Sequence, residues 1–203
     1  MNRTTGLVLT SLLVLALSGC GPSRPIKYYS AQIPAAPNPS PRANSVALLV
    51  GRISAPGILR NGPIAYRVGA NEVGTYAYHQ WEEPPVDMLK MNLIRVLRSS
   101  GNFHSVSALE SGSEGEFVVR GSLYNFEEVD SGSIGALVTM ELELYNRKTR
   151  QIVWSRFYSR TEAVEEHKVS AVVAALDRNL DRGLKEFSSG LTEYFSTKLA
   201  KNP

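Results

Sequence analysis

From Val169 to Leu199 an apolar residue recurs every three or four positions: Val169, Val172, Val173, Leu176, Leu180, Leu184, Phe187, Leu191, Phe195 and Leu199, with only 172 and 173 adjacent. That spacing draws one apolar stripe along one amphipathic helix, roughly 45 Å long at about 1.5 Å per residue. Such a helix takes most of its stability from packing that stripe against the rest of the chain. Gly183 and Gly190 each cost about 1 kcal/mol relative to Ala in a helix, which leaves two alternatives: a bend at these points, or a far end that projects.

Three strands precede the helix. Val138, Met140, Leu142 and Leu144 alternate with Thr139, Glu141, Glu143 and Tyr145, a period of two. Upstream, Phe117, Val119 and Leu123 alternate with Val118, Arg120, Ser122 and Tyr124. After a turn through Asn146–Arg150, Val153, Ser155 and Phe157 share one face, and Trp154, Arg156 and Tyr158 the other. The sheet therefore has one aliphatic and one decorated face. If Tyr145 pairs with Ile152, Glu141 stands opposite Arg156, and a matching register on the other side sets Arg120 opposite Glu143. Opposite charges pair across strands; exposed pairs contribute only about 0.2–1 kcal/mol each, so their value lies in fixing register.

Earlier in the chain, Val46–Val50 is a continuous apolar run, as expected of a strand buried on both faces and central in its sheet. A Pro- and Gly-containing loop over residues 54–63 leads to a Tyr-rich hairpin, Ile64–Val68 and Thr75–Gln80, turning through Gly69–Gly74. Trp81-Glu82-Glu83-Pro84-Pro85 opens a helix, where a proline lacks no bond and acidic residues suit the positive end. Val86, Leu89, Leu93, Val96 and Leu97 form its stripe, and Ser99–Asn102 ends it. The expected fold is α+β, a single domain with a mixed or antiparallel sheet packed by two main helices, the C-terminal one long.

At the N-terminus, Arg3 and the apolar run Leu7–Leu17 have the build of a secretory signal, too short to span a bilayer, which takes about 20 apolar residues. Leu17-Ser18-Gly19-Cys20 resembles the bacterial lipobox. The expected organisation is a signal peptide over residues 1–19, a lipid-anchored tether over 20–25 and a domain over 26–203, with a Pro-rich connector at 34–45. Cys20 is the only cysteine, so no disulfide forms within the chain, and acylation removes a thiol that would be a liability in an oxidising compartment. The lipid would be a diacylglycerol with an N-acyl chain such as palmitate, and no other cofactor is expected. Ile26–Ile33 reads as a first strand; the five residues 21–25 then reach at most about 17 Å, which holds the domain close to the membrane, whereas without that strand the tether runs from Cys20 to about Asn44 and the domain stands farther away.

No catalytic or metal-binding pattern emerges. His79, His104 and His167 lie in different predicted elements, no metal-ligand or phosphate-loop spacing is present, and no Ser sits in a nucleophile elbow. With 22 Lys and Arg against 19 Asp and Glu, the chain is nearly neutral, and nucleic acid is not an expected partner. The candidates for a partner surface are Trp81, Arg120, Tyr124, Glu141, Glu143, Trp154, Arg156 and Tyr158, since aromatics with Arg are what protein interfaces favour.

Lys27-Tyr28-Tyr29, the Pro-rich connector, the apolar strand, Ile58-Leu59-Arg60 with Ile64-Ala65-Tyr66-Arg67, and Tyr78–Pro85 opening a helix together resemble the ABC-type transport auxiliary lipoproteins, the PqiC-like group. Pro85 stands where the usual version has Leu. The resemblance implies a lipid-anchored periplasmic protein serving an ABC transporter permease and ATPase alongside an MCE-domain protein, moving lipids or other hydrophobic compounds between membranes. Ring-like self-assembly around an MCE conduit is a family-level option. Gly21, in place of the Asp that retains enterobacterial lipoproteins at the inner membrane, implies the outer membrane. The expected function is thus a non-enzymatic auxiliary subunit; the alternatives are a periplasmic lipid carrier, or an envelope assembly or structural lipoprotein.

Overall fold

Strand β6 (Phe117–Asp130) organises the sheet, because its two edges are used differently. A computed structural model describes residues 24–31 and 44–201. The other strands are β1 (Lys27–Tyr29), β2 (Asn44–Ser54), β3 (Pro63–Val68), β4 (Glu72–Trp81), β5 (Phe103–Ala108), β7 (Ile134–Asn146) and β8 (Gln151–Ala163); the helices are α1 (Pro85–Ser99) and α2 (Val169–Lys201). The signal peptide, Cys20, the tether up to Ser23 and residues 32–43 lie outside the described residues.

One edge of β6 pairs antiparallel with β7 over its whole length, and β7 pairs with β8. The other edge is shared by two parallel strands laid end to end: β2 runs beside Phe117–Ser122, and β3 beside Glu127–Asp130. Between them residues 55–62 leave the sheet, with a 3-10 turn at Gly57–Arg60. The sheet forks accordingly, β5 extending the β2 branch and β4 then β1 the β3 branch. This is one mixed eight-stranded sheet with two helices, the expected α+β architecture.

Both helices lie on the aliphatic face. Register puts Leu48 beside Phe117, Val50 beside Val119, Val119 beside Leu144 and Leu123 beside Met140, and these pack with Leu89, Leu93 and Leu97 of α1 and Leu176, Leu180, Leu184, Phe187 and Leu191 of α2 in one core. Pro85 opens α1 after Pro84, and Gly101 closes it at φ +66°, the left-handed exit that glycine takes without a Cβ penalty. Helix α2 is a single 33-residue helix, and its glycines mark close approach to the sheet. A Cβ at Gly183 would meet Met140 and the Tyr158 ring, and one at Gly190 would meet Trp154 and Arg156.

Several local expectations are corrected. The first strand covers only Lys27–Tyr29 within the described part of 26–33. Asn44 and Ser45 belong to β2 rather than to the connector, and Glu72–Gly74 belong to β4, which shortens the hairpin turn. The largest change concerns β8. Tyr145 does pair with Ile152, but Leu144 pairs with Trp154, so Val153 is an extra residue and Glu141 stands opposite Phe157, not Arg156. One extra residue inverts the faces of everything beyond it, and Trp154, Arg156 and Tyr158 turn to the helix side.

Candidate interaction surface

The face of β6, β7 and β8 away from the helices carries Arg120, Glu141, Glu143, Tyr145 and Phe157 in cross-strand register, and Tyr124 joins them from a bulge between Leu123 and Asn125, outside the pairing itself. Arg120 stands opposite Glu143 as the sequence reading expected, its Nε donating to Glu143 Oε1 at 2.5 Å, and its guanidinium lies 4.4 Å from the centre of the Tyr145 ring. Charge and cation–π attraction thus hold one planar group from two sides. Tyr124 donates to Glu141 Oε2 at 3.0 Å, and its ring lies 6.5 Å from that of Phe157.

Beside these lies a cleft of about 450 Å³ lined by Arg52, Ser54, Arg120, Gly121, Ser122, Glu141 and Glu143. Its floor is backbone at Gly121, where a Cβ would collide with the Glu141 carbonyl oxygen. Ser54 and Ser122 hydroxyls are hydrogen-bonded at 2.7 Å. Arg52 is exposed and has no carboxylate partner among the described residues. Phe157 is 61% exposed and Ile152 52%. The surface therefore joins charges fixed by their neighbours to large uncovered apolar side chains, the mix found at protein interfaces.

The eight residues singled out from the sequence divide into three groups. Arg120, Tyr124, Glu141 and Glu143 come together on this face. Trp154, Arg156 and Tyr158 lie under or beside α2: Trp154 packs edge-on against Phe187, Arg156 lies over the Trp154 ring, and Tyr158 is buried with its hydroxyl on Asn179. Burial pushes the Tyr158 hydroxyl above its ordinary pKa. Trp81 is a core residue, 2% exposed against Phe126. Phe157 and Ile152 are not among the eight: Ile152 follows from the expected pairing with Tyr145, whereas Phe157 becomes visible only once the extra residue at Val153 is known.

Among the described residues no group of three or more His, Cys, Asp or Glu side chains is placed to hold a metal ion. His79 instead accepts or shares a hydrogen bond with the Tyr29 hydroxyl at 2.8 Å through Nδ1, and packs between the rings of Tyr29 and Tyr76. No helix among the described residues is long and apolar enough to cross a membrane.

The sequence profile of the ABC-type transport auxiliary lipoprotein component family matches residues 29–186. The chain belongs to that family. Membership makes it an envelope lipoprotein component associated with an ABC transport system. Comparison with curated proteins gives no match. Among solved structures, protein XCC0632 from Xanthomonas campestris superimposes with a TM-score of 0.75 at 22% identity, covering 85% of this chain and 99% of that one. An uncharacterised protein follows with a TM-score of 0.65 at 13% identity, covering 83% and 99%. Both likenesses speak to the fold. A PelC dodecamer from Paraburkholderia phytofirmans gives a TM-score of 0.42 at 15% identity over 71% and 90% of the two chains, too distant to carry an argument.

Proposed function

We propose that the family member described here is a non-enzymatic auxiliary subunit, lipid-anchored through Cys20 at the periplasmic face of the outer membrane. It serves an ABC-type system that moves lipids or hydrophobic compounds between membranes, and it engages an MCE-domain protein of that system. The observation that carries this reading is the open face of β6–β8, where Arg120, Tyr124, Glu141 and Glu143 are held by one another beside exposed Phe157 and Ile152. An adaptor needs a rigid, partly apolar surface of this kind. A carrier needs room for its cargo, whereas the core between sheet and helices is filled by Phe126, Phe187, Phe195 and Leu side chains at 1% exposure or less.

The test is co-purification of the full lipidated protein with the MCE-domain protein encoded beside it. Phe157→Asp and Arg120→Glu are expected to lose the partner while keeping fatty-acid labelling and the wild-type circular dichroism. Partner capture unchanged in both variants would remove this face from the function. An unrelated gene neighbourhood and no MCE protein in the wild-type eluate would remove the transport reading itself.

A further inference from the structure

At the edge of the sheet, β1 is only three residues long, yet it is firmly placed. Tyr29 points inward, half-buried, with its hydroxyl on His79 and its ring stacked on the imidazole, and its carbonyl accepts the Glu82 amide at 2.7 Å. Alternation then turns Tyr28 outward, where it is 64% exposed. The parallel register sets Tyr28 beside Gln80, two residues from Tyr78, which is 43% exposed, and Ile26 just ahead of the strand is 44% exposed. Arg24 and Lys27 are exposed in the same segment, and neither has a carboxylate partner among the described residues; Lys27 alternates to the Tyr29 side of β1, and only its long, flexible stem at the open sheet edge lets its ammonium reach the side that Tyr28 occupies.

We propose that Ile26, Tyr28 and Tyr78, with Arg24 and Lys27, form a membrane-docking patch that lies on the bilayer carrying the Cys20 lipid. The inference rests on the lipidation reading above. Its chemistry is that of an interfacial site: tyrosine rings bury an apolar body and keep a hydroxyl among headgroups, and the two cations meet lipid phosphates. Only residues 21–25 separate Cys20 from Ile26, at most about 17 Å of extended chain. The patch is therefore delivered to the surface by the anchor itself.

Two features limit its depth and direction. The outer edge of β1 has no partner strand among the described residues, and unpaired backbone groups do not enter hydrocarbon, so contact stops at the headgroup boundary. Glu82 and Glu83 follow β4 beyond the C-terminal end of β1 and are exposed; an anionic surface repels them, which leaves the Arg24 end of the patch facing the lipid.

The experiment uses the full acylated protein in vesicles of phosphatidylethanolamine and phosphatidylglycerol. Acylation consumes the only native thiol, so a maleimide fluorophore reports only an introduced cysteine. Tyr28→Cys and Tyr78→Cys, on the β1 edge, are compared with Phe157→Cys, an equally exposed aromatic on the β8 edge at the far side of the sheet. Circular dichroism checks each variant. Labels at 28 and 78 are expected to be quenched by headgroup-borne nitroxide several-fold more than the label at 157, and Arg24→Glu with Lys27→Glu is expected to halve that difference. Equal quenching at both edges overturns the patch while leaving the anchor standing. Maleimide uptake by the acylation-competent wild-type chain shows a free Cys20, and removes the anchor reading and the patch together.

Discussion

The Tyr158 hydroxyl donates to Asn179 Oδ1 at 2.6 Å inside the contact between α2 and the sheet, and Asn179 Nδ2 in turn donates to the carbonyls of Ala136 at 3.0 Å and Arg160 at 2.8 Å. Asn179 is wholly buried. One amide thus ties the long helix to both β7 and β8.

Removing that amide leaves buried groups without partners, at about 1–3 kcal/mol each. Asn179→Ala should lower stability by about 3 kcal/mol and Tyr158→Phe by about 1 kcal/mol. In urea unfolding the midpoint should fall with the slope unchanged; a wild-type midpoint for Asn179→Ala would show that the helix is held by its apolar stripe alone.

Gly121→Ala places a methyl group against the Glu141 carbonyl, backbone against backbone. Strands β6 and β7 must part there, so the loss should reach the upper part of the about 1–3 kcal/mol range of overpacking. Gly183→Ala meets the flexible end of Met140, which can yield, and the buried Tyr158 ring, which yields less, so the about 1 kcal/mol of helix propensity regained offsets only part of that contact. Thermal unfolding should rank Gly121→Ala well below Gly183→Ala, and the reverse order would contradict the close approach at Gly121.

Arg120 and Glu143 are part-exposed, at 42% and 23% of their side chains, so their ion pair is a modest term. A double-mutant cycle with Arg120→Ala and Glu143→Ala should return a coupling of about 0.2–1 kcal/mol, smaller in high salt. A coupling indistinguishable from zero at low salt would mean that the pair sets register without adding stability.

Tyr29 and Tyr158 are held above the usual tyrosine pKa of 10.0 by burial, and Tyr76 by burial and then by its hydrogen bond to Glu128. The fold therefore favours their protonated form. Their contribution is complete below pH 10 and is lost as pH rises from there through their folded values. Absorbance at 295 nm should show a late phase of tyrosine ionisation, above pH 10, that coincides with unfolding. A single phase near pH 10 with the fold intact would refute the shifts.

Period-two alternation makes β7, the first half of β6 and the Arg120–Glu143 register legible, because Val138, Met140, Leu142 and Leu144 form one apolar face without a break, while the shift at Tyr124 leaves no mark on the second half of β6. The same alternation in β8 separates two faces but does not say which one is covered. Val153 decides that by standing outside the pairing, and nothing in Ile152-Val153-Trp154 marks it, since every residue there is a strand former. Three of the eight candidate residues, Trp154, Arg156 and Tyr158, therefore lie on the other side. Trp81 was misread for a related reason: a tryptophan beside glutamates and prolines looks like a surface residue until Phe126, 45 positions away in sequence, closes over it. Gly183 and Gly190 were legible as departures from helix propensity, while their cause, contact with Met140, Tyr158 and Trp154, lies in the sheet.

The interruption between β2 and β3 frees the segment between them from the register of the sheet. Each strand is registered on β6 independently, through Leu48–Ser54 on one side and Ala65–Val68 on the other. Provided Leu59 keeps its place in the core, the exposed positions of residues 55–62 can change in length or composition without sliding either strand. Arg60 and Arg52 flank a cleft that these residues share with Lys90 and Asp87 of α1. A lineage that exchanges one transport partner for another can rebuild its contacts in this segment while the sheet beneath stays the same.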